Sequence, residues 1–125
     1  MISPATPHSR ILVVDAHPND YDTVVHNKEF GQIDFEFHRE GRSLLRDNNK
    51  DYPELCVINI NLPDMCGLDL YDMVVERWPG VKVFLVGDDY RPEDEVRART
   101  SGAMFYFCKP LQGEWLASAT VTHTS

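Results

Sequence analysis

Asp15, Asn59 and Lys109 each close or directly follow a short apolar run, in "RILVVDAHP", "CVININLPDMCG" and "AMFYFCKP", and Gly87 ends a fourth in "VKVFLVG". A carboxylate, an amide and an ammonium gathered at one place are material for phosphate or cation chemistry. The middle stretch raises the question. It reads as a buried strand entering a phosphate-chemistry loop, yet where a carboxylate is expected it offers Asn59 and then Asn61. An amide has neither the charge nor the oxygen nucleophilicity of an ionised carboxylate at neutral pH.

Those residues can meet only if the elements carrying them align. "RILVVDAHP" is a β-branched run closed by a polar turn, and "VVHNKEF" suits a helix, with Asn19, Asp20 and Asp22 where acidic and capping residues favour a helix start and Gly31 near its end. "IDFEFHRE" alternates Ile33, Phe35 and Phe37 with Asp34, Glu36 and His38, the pattern of a strand near a sheet edge with one wetter face. "GRSLLRDNNK" predicts a short helix, and "LCVINI" a strand buried on both faces. "GLDLYDMVVERWPG" places Leu68, Tyr71, Val74 or Val75 and Trp78 at helical spacing before a Pro-Gly stop. "VKVFLVG" is a fourth strand, "RPEDEVRARTSG" a charged helix ended by Gly102, "AMFYFCKP" a fifth strand and "GEWLASATV" a weak last helix. Five strands alternating with five helices predict an α/β fold, one parallel sheet covered on both faces, with its ligand crevice beyond the carboxyl ends of the strands.

The bulk properties narrow the function classes. At 125 residues and 42% hydrophobic content the chain holds one domain. A net charge of -8 works against nucleic-acid phosphate and anionic membrane as partners. No apolar run approaches the length of a membrane span, and Cys56, Cys66 and Cys108 have no CxxC spacing. Reduced thiols in a cytoplasmic protein are the expectation.

"ILVVDAHP", "VININLPDMCGLDL", "VFLVGDD" and "SGAMFYFCKP" together resemble the successive strand-end motifs of the response-regulator receiver domain (CheY-like). The resemblance spans about residues 10 to 116 and includes the LPxxxG turn of Leu62, Pro63 and Gly67 and the Lys109-Pro110 pair. It implies a flavodoxin-like (βα)5 sheet of order 2-1-3-4-5, with residues 10-121 as the domain between short tails at 1-9 and 122-125. A working receiver takes a phosphoryl group on an aspartate ending the third strand. Acidic residues after the first strand hold Mg²⁺, a Thr or Ser after the fourth binds a phosphoryl oxygen, and a Lys after the fifth neutralises charge.

By that correspondence Asn59 stands at the nucleophile position, Ala16 replaces one of two acidic residues, and Gly87 replaces the Thr or Ser, while Asp15 and Lys109 are retained. The pocket is therefore expected to be degenerate, with no catalytic residue, no metal site, Mg²⁺ binding weak or absent and no cofactor. Asn59 is expected to act as a structural amide and Lys109 to pair with Asp15. Asp88 and Asp89 read either as further carboxylates for a cation or as a solvated loop. Tyr106 matches the aromatic switch position of the family, and the space left at Gly87 suggests a ring turned permanently inward.

These expectations describe a pseudo-receiver: not an enzyme, but a phosphorylation-independent interaction module. Its α4-β5-α5 face, about residues 91 to 119, would meet a partner protein or a second copy. A sensor of small ligands or cations in the vacated pocket is the alternative. A flavin enzyme is disfavoured because "DAHPND" lacks the glycines and hydroxyls of a phosphate-cradling loop. The five histidines show no metal-ligand spacing and are expected at the surface, and Trp78 and Trp115 are expected to pack. The β-branched end of the last helix leaves two readings open, a stand-alone domain or the N-terminal piece of a larger protein.

Overall fold

The structure, a computed structural model, describes residues 9–25, 33–47 and 52–111. Five parallel strands, β1 (Ser9–Val14), β2 (Ile33–His38), β3 (Leu55–Asn59), β4 (Lys82–Gly87) and β5 (Phe105–Cys108), form one sheet in the order β2-β1-β3-β4-β5. This is the expected doubly wound, flavodoxin-like arrangement. Strand order reverses beside β1, so the crevice opens between the carboxyl ends of β1 and β3.

The side-chain period of two divides each strand between two cores. Leu12, Val14, Cys56, Ile58, Val83 and Leu85 point to one face, where α2 (Gly41–Arg46), α3 (Gly67–Arg77) and α4 (Pro92–Ser101) supply Leu44, Leu70, Tyr71, Val74 and Ala98. Ile11, Val13, Val57, Phe84 and Val86 point to the other, against Tyr21 and against Val24 of α1 (Asp22–Val25). All five residues of β3 are buried, as its unbroken apolar run predicts. Each large aliphatic side chain there contributes about 1.5–3 kcal/mol by leaving water.

In α3 the packed residues are Leu70, Tyr71 and Val74, with Trp78 closing the helix, while Leu68 and Val75 are only partly buried. Gly102 ends α4 in the left-handed region at φ 99°, a conformation that glycine adopts without strain. Gly67 has a different reason to be glycine. The first turn of α3 lies so close to the end of β3 that a Cβ would stand 2.7 Å from Ile60 Cα and overlap the Asn59 carbonyl. That close approach is the physical content of the LPxxxG turn, and the Gly67 N–H donates to the Ile60 carbonyl at 2.7 Å. Asp64 of the same turn accepts the Gly41 and Arg42 N–H groups, both at 2.9 Å, and so ties the turn to α2.

Three expectations are corrected. The first helical segment begins earlier than the periodicity suggests, as a 3-10 turn over Pro18–Tyr21 that leads into α1, and no side chain caps it. His38 is not a surface histidine: its side chain is 11% exposed, held between Glu36 and Ser43. The wetter face of β2 is likewise exposed at Asp34 but only partly so at Glu36 and His38, the latter held against Ser43 of α2. The last helix, Trp115, the end of the first helix near Gly31, and His8, His26 and His123 lie outside the described residues.

Candidate functional site

Parallel register brings the strand ends together. Val14 is level with Ile58, Asn59 with Val86, and Gly87 with Cys108. Backbone hydrogen bonds continue one residue past the strands, from Asp15 N to the His38 carbonyl, Ile60 N to Val86 and Lys109 N to Gly87. Asp15, Asn59, Asp88 and Lys109 therefore share one edge.

Asn59 is 1% exposed and hydrogen-bonded on both sides of its amide. Its Nδ2 donates to Asp15 Oδ2 at 3.0 Å and to Asp88 Oδ1 at 2.9 Å, and its Oδ1 accepts the Asn61 N–H at 2.8 Å. The amide supplies two N–H donors to two carboxylates, which a carboxylate in its place cannot do.

Asp15, also 1% exposed, accepts from Tyr21 Oη at 2.8 Å and from the His17 N–H at 2.8 Å. Lys109 Nζ lies 3.0 Å from Asp15, 2.7 Å from Asp20 and 3.0 Å from Asp88. The expected pairing of Lys109 with Asp15 is present, and two further carboxylates join it. A single ammonium thus stands among three carboxylates, where each N–H has an acceptor. Of the two carboxylates after β4, Asp88 is the one that joins this cluster.

The charges hold one another in place. Burial opposes the charge on Lys109, but hydrogen bonds from its ammonium to Asp20, Asp88 and Asp15, together with the Asp15 charge, raise its pKa well above the usual lysine value. Partial burial likewise opposes ionisation of Asp88, yet the hydrogen bonds from Asn59 and Lys109 and the lysine charge bring its pKa below the ordinary carboxylate value. Tyr21 is kept neutral by burial and by the Asp15 carboxylate beside it.

A pH dependence follows. The contribution of Asp88, whose folded pKa is depressed, is present above its unfolded value of about 4 and lost as pH falls through the folded one. The contributions of Lys109 and Tyr21, both raised, are complete below about pH 10 and lost above it. Urea denaturation against pH should show the cluster's contribution level between these limits, and Asp88→Asn should flatten part of the acid limb. An unchanged acid limb would show that Asp88 gains nothing in the fold.

Gly87 has no side chain, and Tyr106 fills the space. A Cβ on Gly87 would stand 2.5 Å from Tyr106 Oη and 3.3 Å from its Cζ, and the ring is partly buried against the α3–α4 core. Its hydroxyl accepts from Cys108 Sγ at 3.4 Å. Gly87→Thr should therefore drive Tyr106 outward, read as loss of NOEs between its ring and Gly87 neighbours and a gain in ring exposure. An unmoved ring would show that the strand end, rather than the tyrosine, yields.

Sequence reasoning placed Asp15, Ala16, Asn59, Gly87, Lys109 and Tyr106 at this edge; Ala16 is half-buried and contributes no ligand atom. It missed Tyr21 and the role of Asp20, which was read as a helix-start residue. No local signal marks either: both depend on how the turn after β1 folds over the strand ends. The three cysteines are free, as expected, and burial pushes the Cys56 thiol up to about 12, which leaves it unreactive. No described helix is long and apolar enough to cross a membrane.

Comparison with known proteins agrees with this geometry. The family model of the response regulator receiver domain matches residues 11–120. A probable transcriptional regulatory protein, TcrX of Mycobacterium tuberculosis, is 28% identical over 104 residues, 83% of this chain and 44% of that protein. The regulatory protein LuxO of Vibrio cholerae is 27% identical over 84 residues, 67% of this chain but 18% of its own length. This chain thus spans less than half of either relative. Among solved structures, a CheY-like receiver domain protein from Methanospirillum hungatei superposes with a TM-score of 0.78 at 26% identity, covering 93% of both chains. With the sheet order, the turn at Gly67 and the clustered strand ends already in hand, the chain belongs to the response regulator receiver domain family, the receiving module of two-component signalling.

Proposed function

We propose that this chain is a pseudo-receiver, an interaction module of two-component signalling that keeps the receiver fold and does not accept a phosphoryl group. The observation that carries this reading is Asn59: the residue at the nucleophile position is a buried amide with both N–H groups committed to Asp15 and Asp88. It offers no carboxylate to attack a phosphoryl group, and its neighbours Asp15 and Asp88 are already paired with the Lys109 ammonium. On this reading the protein is not an enzyme, acts in the cytoplasm and binds protein rather than nucleic acid or membrane.

The partner surface is the α4–β5 side, where Val96, Met104 and Phe105 are exposed and Tyr106 is held in one orientation by the gap at Gly87. A partner protein or a second copy of the chain would read that surface constitutively. Against the alternative, a cation or small-ligand sensor, weighs the Lys109 ammonium, which already occupies the centre of the three carboxylates.

An amide NMR titration with Mg²⁺ and then beryllofluoride, a mimic of an aspartyl phosphate, tests the proposal. Resonances of Asp15, Asn59 and Lys109 should stay in place with both additions. Saturable shifts at those residues, followed by Tyr106, would overturn it in favour of a pocket that still senses metal or anion.

A further inference from the structure

A second group of potential ligands lies one strand away from the pocket, on the sheet's edge. Glu36 and His38 are two residues apart on β2 and so project from the same face, toward α2. Asp47, at the carboxyl end of α2, closes the third side. His38 Nε2 is 2.8 Å from Glu36 Oε2 and 3.9 Å from Asp47 Oδ2, and one ligand atom from each of the three residues falls within 4.8 Å of the others. Among the described residues this is the one such convergence of three His, Cys, Asp or Glu ligands.

We propose that Glu36, His38 and Asp47 form a binding site for a divalent first-row transition metal ion, with zinc as the representative case. Three features carry it. The first is spacing: ligand atoms bound at zinc distances in a tetrahedral centre stand about 3.4 Å apart, and the observed 2.8 and 3.9 Å bracket that value.

Orientation is the second feature. The other ring nitrogen of His38, Nδ1, is 2.7 Å from Ser43 Oγ, and Glu36 Oε1 accepts from Arg10 at 2.9 Å. Outer partners of this kind fix the ring plane and leave Nε2 and Oε2 directed inward, the arrangement that metal-binding histidines use. Access is the third. His38 and Asp47, though not Glu36, line an open groove of about 800 Å³ together with Ser43, Arg39 and Arg46, which leaves room for water on that side to complete the coordination.

One imidazole with two carboxylates suits zinc, manganese or iron(II) rather than Mg²⁺, which prefers oxygen ligands alone. The site is separate from the Lys109 cluster, although the two share a backbone link, since the His38 carbonyl accepts the Asp15 N–H. An ion there would pin β2 to α2.

The test is calorimetric titration of the full chain with Zn²⁺, paired with NMR of the histidine ring nitrogens. We expect one ion per chain, a shift centred on His38 Nε2, and at least tenfold weaker binding in His38→Gln and Asp47→Asn. Ser43→Ala, which removes only the outer partner, should weaken binding by about tenfold. Asp47 is partly exposed at a helix end, so Asp47→Asn keeps the test sharp even if His38→Gln fails to fold. Zinc affinity unchanged in Asp47→Asn, or a His38 ring that does not move at saturation, would overturn the proposal and assign any binding to other histidines.

Discussion

Asn59→Asp is expected to destabilise the protein by about 3 kcal/mol at neutral pH, although it restores the residue type that a phosphorylated receiver carries. The substitution removes two N–H donors and sets a third carboxylate about 3 Å from Asp15 and Asp88. Lys109 can offset only part of that repulsion, because its three N–H groups are already engaged. Like charges at this distance raise the pKa of the cluster, so the folded variant binds a proton that the unfolded chain has released. Its stability deficit should therefore shrink as pH is lowered toward 5, and Mg²⁺ should recover part of it at neutral pH.

Phosphorylation by a small phosphodonor should remain slight, since Ala16 supplies no second metal ligand and Gly87 no hydroxyl. Adding Ala16→Asp should strengthen Mg²⁺ binding. Robust labelling of Asn59→Asp alone, or stability equal to the parent, would show that the amide's two hydrogen bonds matter less than the geometry indicates.

Lys109→Met tests the other half of the pocket and is expected to cost about 3–5 kcal/mol, the effect of leaving a buried carboxylate without its partner. Asp15 is the reason: it is 1% exposed, while Asp20 and Asp88 reach solvent. Methionine keeps an unbranched apolar stem as far as the Cε position and removes the ammonium, together with its contact over the Tyr21 ring. The vacated centre of three carboxylates should then take a cation. Millimolar Mg²⁺ should raise the variant's melting temperature and leave that of the parent unchanged.

Asp20→Asn, which removes an exposed partner only, should stay within about 1 kcal/mol of the parent. A Lys109→Met variant as stable as the parent, or indifferent to Mg²⁺, would mean that the lysine is a spectator of the carboxylates rather than their counter-ion.

The order of elements and the strand ends were legible in the sequence because each rests on a local signal. Strand β3 is an unbroken apolar run, α4 stops at a glycine, and the turn at Leu62, Pro63 and Gly67 carries the strand-end motif that resembles the receiver family. Asn59 and Gly87 could be recognised as departures because those signals fixed the positions they occupy. What each departure does was a different matter. The inward Tyr106 at the Gly87 gap was expected from the sequence, but only the packed fold showed that the two N–H groups of Asn59 bridge Asp15 and Asp88.

Asp20, Tyr21 and His38 mark the same boundary. Asp20 read as a helix-start residue and His38 as a surface histidine, because local composition reports what a residue resembles and not what crosses over to meet it. The contact of Asp20 with Lys109 spans 89 positions and that of Asn59 with Asp15 spans 44. Pairings of that range are set by strand order and register, through which parallel crossovers bring distant strand ends to one edge. The sequence by itself determined which residues arrive at that edge. The tertiary structure decided which of them touch, and so made a lysine the cation of the pocket.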